Sequence, residues 1–361
     1  MPLPPMSMVS LNDLCVLKDQ SIREAIEAIN RNFKAIVLVT DAERRLIGTV
    51  TDGDVRRAVL EGVSLEAPVS VLLKRKAANY TTPVTVPLGT DRATVLQLMH
   101  DHVVHQVPIL DAEGRVADLV TKDELFPDQA QPMQAVIMAG GFGKRLHPLT
   151  ESTPKPMLPV GDRPLMERMI NQLQQAGIRR VNVTTHYLPE KISDHFGDGS
   201  AFGVELNYVA EDSPLGTAGA LGLMVAPSEP LLVINGDLLT RVNFRAMLAY
   251  HREHQADLTV AVRQFGLQVP YGVIEAEGVT VTGLKEKPLV NFLVNAGMYL
   301  LDPGVFDYID NGARSDMPDL IHRLIAAQKT VVTFPIHEYW LDIGHYDDYL
   351  RAQEDVKGAD F

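Results

Sequence analysis

Ala135 to Pro159 reads AVIMAGGFGKRLHPLTESTPKPMLP. An apolar run ends at Ala139, glycines follow at Gly140, Gly141 and Gly143, a cation stands at Arg145, and Lys155 is set between Pro154 and Pro156. The run predicts a buried strand. A loop of this composition after a strand turns successive backbone N–H groups inward and has no Cβ to hold off a phosphate. The stretch therefore predicts an anion cradle at the end of a strand, in a chain built of strands and helices.

Downstream, the pattern alternates. Strands are predicted at 135–139, 181–185, 205–209 and 230–234, with helices at 165–176, 190–196, 217–225 and 244–254. Such alternation builds a mostly parallel sheet covered on both faces, with ligands at the carboxyl ends of its strands. Four further stations follow in order: Leu215-Gly216-Thr217-Ala218-Gly219-Ala220, Asn235-Gly236-Asp237, Glu286-Lys287-Pro288 and Trp340-Leu341-Asp342-Ile343-Gly344.

Upstream, residues 11–126 contain a repeat that aligns without gaps at an offset of 70. Asp41-Ala42-Glu43 recurs as Asp111-Ala112-Glu113, Arg45 as Arg115, and Val50-Thr51 as Val120-Thr121. Each copy predicts helix, strand, tight turn, strand, and a second helix beginning near Asp52 or Lys122. The segment 127–132, with Pro127 and Pro132, breaks periodicity and reads as a linker. The organisation is thus 1–126 (repeats about 11–65 and 81–126), 127–132 and 133–361.

The bulk numbers narrow the partners. At 361 residues the chain is long enough for two cores, and 46% hydrophobic with 22% charged residues is ordinary for a globular protein. A net charge of -13 argues against nucleic acid or an anionic membrane as partner. The single cysteine, Cys15, permits no internal disulfide. MPLPPMSMVS is no signal peptide and no apolar run reaches membrane-spanning length, so the expected location is the cytoplasm.

The N-terminal repeat resembles a tandem pair of CBS domains, carried most specifically by Gly48-Thr49-Val50-Thr51-Asp52-Gly53-Asp54. The resemblance implies an adenosine site at Thr51 and Asp54, with AMP or ATP as ligand, and a second at Thr121 and Glu124. There Glu124 stands in the carboxylate position and Asp118 replaces the usual glycine. Thr followed by Asp at a strand-to-helix corner is also what a plain helix N-cap requires. The CBS resemblance further implies a homo-oligomer.

From residue 133 to 355, the G-G-x-G-x-R and P-K-P elements with the four later stations resemble the sugar-1-phosphate nucleotidyltransferases. The resemblance implies a Rossmann-like, glycosyltransferase-A-like α/β domain with a mixed, mostly parallel sheet. The activity it implies is transfer of a nucleoside monophosphate from a nucleoside triphosphate to a sugar 1-phosphate, with pyrophosphate leaving. Two anions must be brought together while charge moves to the leaving group, so such a site needs cations and positioning more than a base. Arg145 would neutralise the triphosphate and Lys155 would reach the α-phosphate. Ala139, Gly140, Gly141, Gly143, Glu211, Gly216 and Asp237 would bind nucleotide. Lys287 would hold the sugar phosphate, with Gly272, Glu286, Asn295 and Gly297 around the sugar. Asp237 and Asp342 are the expected Mg²⁺ ligands.

Glu211, five residues before Gly216, is the position that faces the base in this family. Guanine offers two adjacent donors that one carboxylate accepts together, whereas uracil and thymine suit a glutamine amide. Glu211 therefore favours GTP, unless it is only a solvent-facing loop acid. A CBS pair ahead of such a domain is similar to the glucosamine-1-phosphate guanylyltransferases of legionaminic acid synthesis, with mannose-1-phosphate guanylyltransferases as the alternative. A non-catalytic nucleotide sensor is the reading from another class.

Overall fold

The computed structural model describes residues 10–76, 82–125, 131–310 and 312–358. The chain divides into two compact units, Met1–Gln129 and Ala130–Phe361. Residues 127–130 of the expected linker lie outside the described residues, and Gln131 already donates its N–H to Gly177 O at 3.1 Å. Among the described residues no helix is long and apolar enough to cross a membrane.

The first unit is two copies of one motif. The helix Ile22–Asn32 is matched by Arg92–Asp101, the strand Ile36–Thr40 by Gln106–Leu110, and Leu46–Thr51 by Val116–Thr121. Each pair of first residues differs by 70, as in 106 minus 36. The turns are chemically the same. Asp41 Oδ1 accepts from the N–H of Glu43 (3.0 Å) and Arg45 (2.8 Å), and Asp111 Oδ1 accepts from Glu113 (3.0 Å) and Arg115 (2.8 Å). These two turns meet: Leu46 N–H donates to Gly114 O at 3.2 Å and Val116 N–H to Arg44 O at 3.0 Å. Each copy has its own small core, and a third cluster of Leu14, Ile36, Leu38, Val116 and Leu119 is shared between them. Neither copy buries that cluster alone, which is why the unit comes as a pair.

The second unit is organised on a seven-stranded sheet with spatial order Glu205–Ala210, Arg180–Thr185, Gln134–Met138, Leu231–Asn235, Leu289–Leu301, Leu258–Gln268, Val331–Pro335. The first four run parallel; Leu289–Leu301 runs antiparallel to both its neighbours, and Val331–Pro335 runs parallel to Leu258–Gln268. Gln134–Met138 is central and buried on both faces. Ala135 and Ile137 pack with the helices Leu165–Gln175 and Phe244–Glu253, while Val136 packs on the other side with Leu320 and Leu324 of Met317–Ala326. Full burial on both faces is what makes parallel strands read as continuous apolar runs.

Two features depart from the periodicity. The helix expected at 217–225 is a short turn, Gly216–Gly219, followed by a 3₁₀ turn, Ala220–Leu223. Gly219 and Gly222 weaken it, and the N–H groups that open it are taken by a later segment described below. The second departure is an arm. Beyond Val262 the strands Leu258–Gln268 and Leu289–Leu301 pair only with each other, setting Phe265 opposite Phe292 and Leu267 opposite Val290. All four of these side chains are exposed, and the arm continues into the hairpin Val273–Glu277 with Thr280–Lys285.

Candidate active site

The site forms where the central parallel strands end. Gly143, at φ +63, has no room for a side chain: a Cβ there would lie 2.9 Å from Thr150 Cγ2 and 3.2 Å from Lys155 Cβ. The glycine thus lets the loop close against the stem of Lys155. Thr150 Oγ1 fastens the same turn by donating to Gly143 O at 2.9 Å. Lys155 opens a 3₁₀ turn, Lys155–Met157, and Pro156 leans on Gly236, whose own Cβ would meet Met138 O at 2.5 Å and Pro156 Cγ at 3.2 Å. Packing therefore delivers Lys155 beside the next residue, Asp237. Lys155 Nζ lies 2.6 Å from Asp237 Oδ2.

Asp342 arrives from the far end of the unit. The short strand Leu238–Thr240 pairs antiparallel with Trp340–Asp342, with Leu238 opposite Asp342, and Ile343 N–H donates to Asp237 O at 3.0 Å. Burial raises the pKa of the Asp342 carboxyl, the charge of Asp237 raises it further, and Lys155 and Arg145 offset part of that. Arg145, in the turn Lys144–Leu146, faces the same corner. A Cβ on Gly344 would lie 3.8 Å from Arg145 Nη1 and 3.8 Å from Asp342 Oδ1.

The fit of a divalent cation can be judged from these oxygens. Asp237 Oδ1 is buried with no hydrogen-bond partner, and a second carboxylate faces it. Two facing carboxylates with an unpartnered acceptor are the oxygen donor set that Mg²⁺ takes. A carboxyl whose folded pKa stands above its unfolded value binds more protons folded than unfolded. Stability therefore falls as pH rises through that window. Asp342→Asn is accordingly expected to raise the unfolding temperature at pH 7 in chelator. The gain should disappear below the aspartate range, as calorimetric scans at both pH values would read.

Glu211 lies between the loop at Gly140 and the turn at Leu215. Its Oε2 accepts from Leu215 N–H at 3.0 Å, its Oε1 stands 2.5 Å from where a Gly140 Cβ would be, and His186 Nδ1 is 2.8 Å from its carbonyl oxygen. Gly140 is thus the residue that makes space for the carboxylate. Gly216, at φ +80, packs against Ser315 and Asp316, which carry no motif in the sequence. Thr217 N–H donates to Asp316 Oδ1 at 3.1 Å, and Ala218 and Gly219 donate to Ser315 O at 2.9 and 2.8 Å. These amides are already used internally.

Asn295 and Gly297 reach the same corner. Gly297 N–H donates to Asn295 Oδ1 at 2.9 Å, and Trp340 Nε1 donates to Ala296 O at 2.8 Å. Gly297 must be glycine here, because a Cβ would lie 2.6 Å from Asn235 Nδ2. Asn235 belongs to the quoted motif but had no role in the sequence reading. Its Oδ1 is buried and unpartnered like Asp237 Oδ1, so it is a second acceptor available to a ligand or its water. Gly272, Glu286 and Lys287 lie on the exposed arm. A Gly272 Cβ would lie 3.0 Å from Glu286 Oε2, and Lys287 O accepts from Gln268 Nε2.

In the first unit the four expected adenosine contacts are engaged in capping. Asp54 Oδ2 accepts from the N–H (2.9 Å) and Oγ1 (3.0 Å) of Thr51, and Glu124 Oε2 does the same for Thr121 (2.9 and 3.0 Å). Each carboxylate also carries a lysine: Lys76 Nζ is 2.9 Å from Asp54, and Lys34 pairs with Glu124. Burial opposes the charge of Asp54, but Lys76, the Thr51 N–H and Arg57 outweigh it and hold the carboxyl below its usual range. These geometries meet the N-cap requirement in full; a ribose at either carboxylate has a lysine to share it with.

Comparison with known proteins agrees with this layout. The nucleotidyl transferase family pattern matches residues 134–358, and the CBS domain pattern matches 8–61 and 78–127. A rice (Oryza sativa subsp. japonica) protein provisionally named mannose-1-phosphate guanylyltransferase 1 is 34% identical over 230 residues, covering 61% of this chain and 63% of its own. The mannose-1-phosphate guanylyltransferase of Mycobacterium tuberculosis is 31% identical over 238 residues, covering 62% of this chain and 64% of its own. The match thus spans less than two thirds of either relative. Among solved structures, a Bacillus anthracis protein provisionally identified as a glucose-1-phosphate thymidylyltransferase superposes with a TM-score of 0.53 at 26% identity, covering 63% of this chain and 97% of the other. On the extent of the family match and the order of its motifs, the chain belongs to the nucleotidyl transferase family and carries a CBS domain pair ahead of that domain.

Proposed function

We propose that the protein is a sugar-1-phosphate guanylyltransferase. An oxygen of the sugar 1-phosphate attacks the α-phosphorus of GTP, a phosphorus–oxygen bond forms there, and the bond to the β-phosphate oxygen breaks to release pyrophosphate. The observation that carries the reading is the meeting of the Gly140–Gly143 loop, Lys155 and the Asp237–Asp342 carboxylates at one sheet edge. Loop amides and Arg145 bind the triphosphate, and Lys155 steadies the charge growing on the α-phosphate oxygens. Mg²⁺ held by Asp237 and Asp342 supplies Lewis-acid charge to phosphate oxygens when bound. Lys287 and Glu286, both on the arm, would hold the sugar phosphate and the sugar.

The side chain of Glu211, seated between Gly140 and Leu215, supports guanine. Two sugars are supported by different observations: mannose 1-phosphate by the names of the rice and mycobacterial relatives, and glucosamine 1-phosphate by the CBS pair ahead of the domain. Adenine nucleotide at Thr51 and Asp54 would tune the reaction, and a homo-oligomer working in the cytoplasm is the expected form. The deciding experiment offers GTP, ATP, CTP, UTP and dTTP, each with Mg²⁺ and each sugar 1-phosphate, and measures pyrophosphate. Release with GTP and one of the two sugars is the expected result. No release with any pair, alongside tight nucleotide binding, would turn the protein into a sensor.

A further inference from the structure

Lys155 holds Asp237 at 2.6 Å in a corner where the two side chains are only 12% and 24% exposed. The lysine is not a loose surface cation. Its stem packs on Gly143, and Pro156 fixes the following residue against Gly236. Asp342 feels the same ammonium, because Lys155 and Arg145 are the positive charges that act on its carboxyl while Asp237 is the foremost negative one. One ammonium therefore lies among two carboxylates.

A divalent cation on those carboxylates needs carboxylate oxygens at about 2.0–2.1 Å for Mg²⁺. Lys155 holds Oδ2 of Asp237 and leaves Oδ1, buried and unpartnered, as the oxygen for a cation. An ammonium on one oxygen of a carboxylate and a dication on the other would stand a few ångströms apart in a partly buried place, where like charges repel strongly. Each therefore weakens the other's hold on Asp237.

We propose that Lys155 is an internal competitor for the metal position: while its ammonium is on Asp237, Asp237 and Asp342 hold a divalent cation weakly, and a triphosphate that draws the ammonium away strengthens that hold. The free protein then holds metal weakly, and nucleotide and metal favour each other's binding. Linkage makes that preference reciprocal. The same movement that frees Asp237 carries Lys155 to the phosphate, so one displacement arms both groups. The inference rests on the reading of Asp237 and Asp342 as metal ligands.

The test uses the full chain, Mn²⁺ as probe and no nucleotide, with free Mn²⁺ read by electron paramagnetic resonance. Lys155→Met, which keeps the stem and removes the charge, is expected to bind Mn²⁺ at least ~10-fold more tightly than wild type, within the usual range of coupling between sites. Lys155→Arg should stay near wild type, and adding Asp237→Asn to Lys155→Met should abolish the gain. Lys155→Gln serves if the methionine variant does not fold. No gain on neutralising Lys155, including no binding by either protein, overturns the proposal. So does an equal gain with arginine, or a gain that survives Asp237→Asn. Pyrophosphate release is measured separately, so a silent substrate screen and a failed metal competition remain distinct results.

Discussion

Lys155→Ala is expected to lower turnover at least ~10²-fold at saturating GTP and sugar 1-phosphate, the loss typical of removing one charge-stabilising group. The effect should fall on kcat more than on KM. On the proposed mechanism, loop amides and Arg145 would still bind the triphosphate in the variant, whereas the α-phosphate would lose the cation that meets charge as it develops. Lysine is placed for this by packing that does not depend on its charge: Gly143 against its stem, Pro156 against Gly236. The alanine variant should therefore fold, and an unchanged melting profile separates lost chemistry from lost structure. A kcat near wild type would remove Lys155 from the mechanism. Asp237→Ala should match it in turnover, because it removes the partner of Lys155 and one of the two carboxylates proposed to hold the metal.

Glu211→Gln is expected to shift the preference for GTP over UTP or dTTP by at least about 10²-fold in kcat/KM, since pockets built on donor–acceptor pairing discriminate by about 10⁴ or more. The substitution is close to isosteric. Glutamine keeps an acceptor for the Leu215 N–H that Glu211 receives at 3.0 Å, and Gly140 leaves space for the amide as it does for the carboxylate. What changes is that a donor now faces the base. Guanine N1–H and its exocyclic amine then meet an N–H where they had an acceptor, while a pyrimidine carbonyl gains a partner. Measuring all three nucleotides on both proteins decides the matter. An unaltered ratio would mean that the carboxylate does no more than hold the Leu215 turn.

Much of this architecture was legible because it is written in local pattern. The repeat offset carried through to strand ends, since Asp41 and Asp111 close the same turn with the same two amides. The glycine loop and the proline-flanked lysine could be read because each needs a particular residue type at a particular backbone conformation. What stayed hidden is non-local. Nothing near Lys155 in sequence tells that its partner is Asp237, or that Ser315 and Asp316 take the amides after Gly216. Asn235 escaped because an unpartnered buried oxygen is a property of the assembled wall, here the turn at Gly297. The arm escaped for another reason: Phe265 and Leu267, and Val290 and Phe292, alternate as one face of a half-buried strand would, yet all four are exposed.

The pairing of Leu238–Thr240 with Trp340–Asp342 closes a span of about a hundred residues to set two carboxylates side by side. During synthesis the glycine loop, Lys155 and Asp237 leave the ribosome long before Trp340 does. Until then Asp342, the second carboxylate of the corner, is missing from it. The corner therefore cannot close until both ends of that span have been made, by which point every strand of the seven-stranded sheet has been made as well.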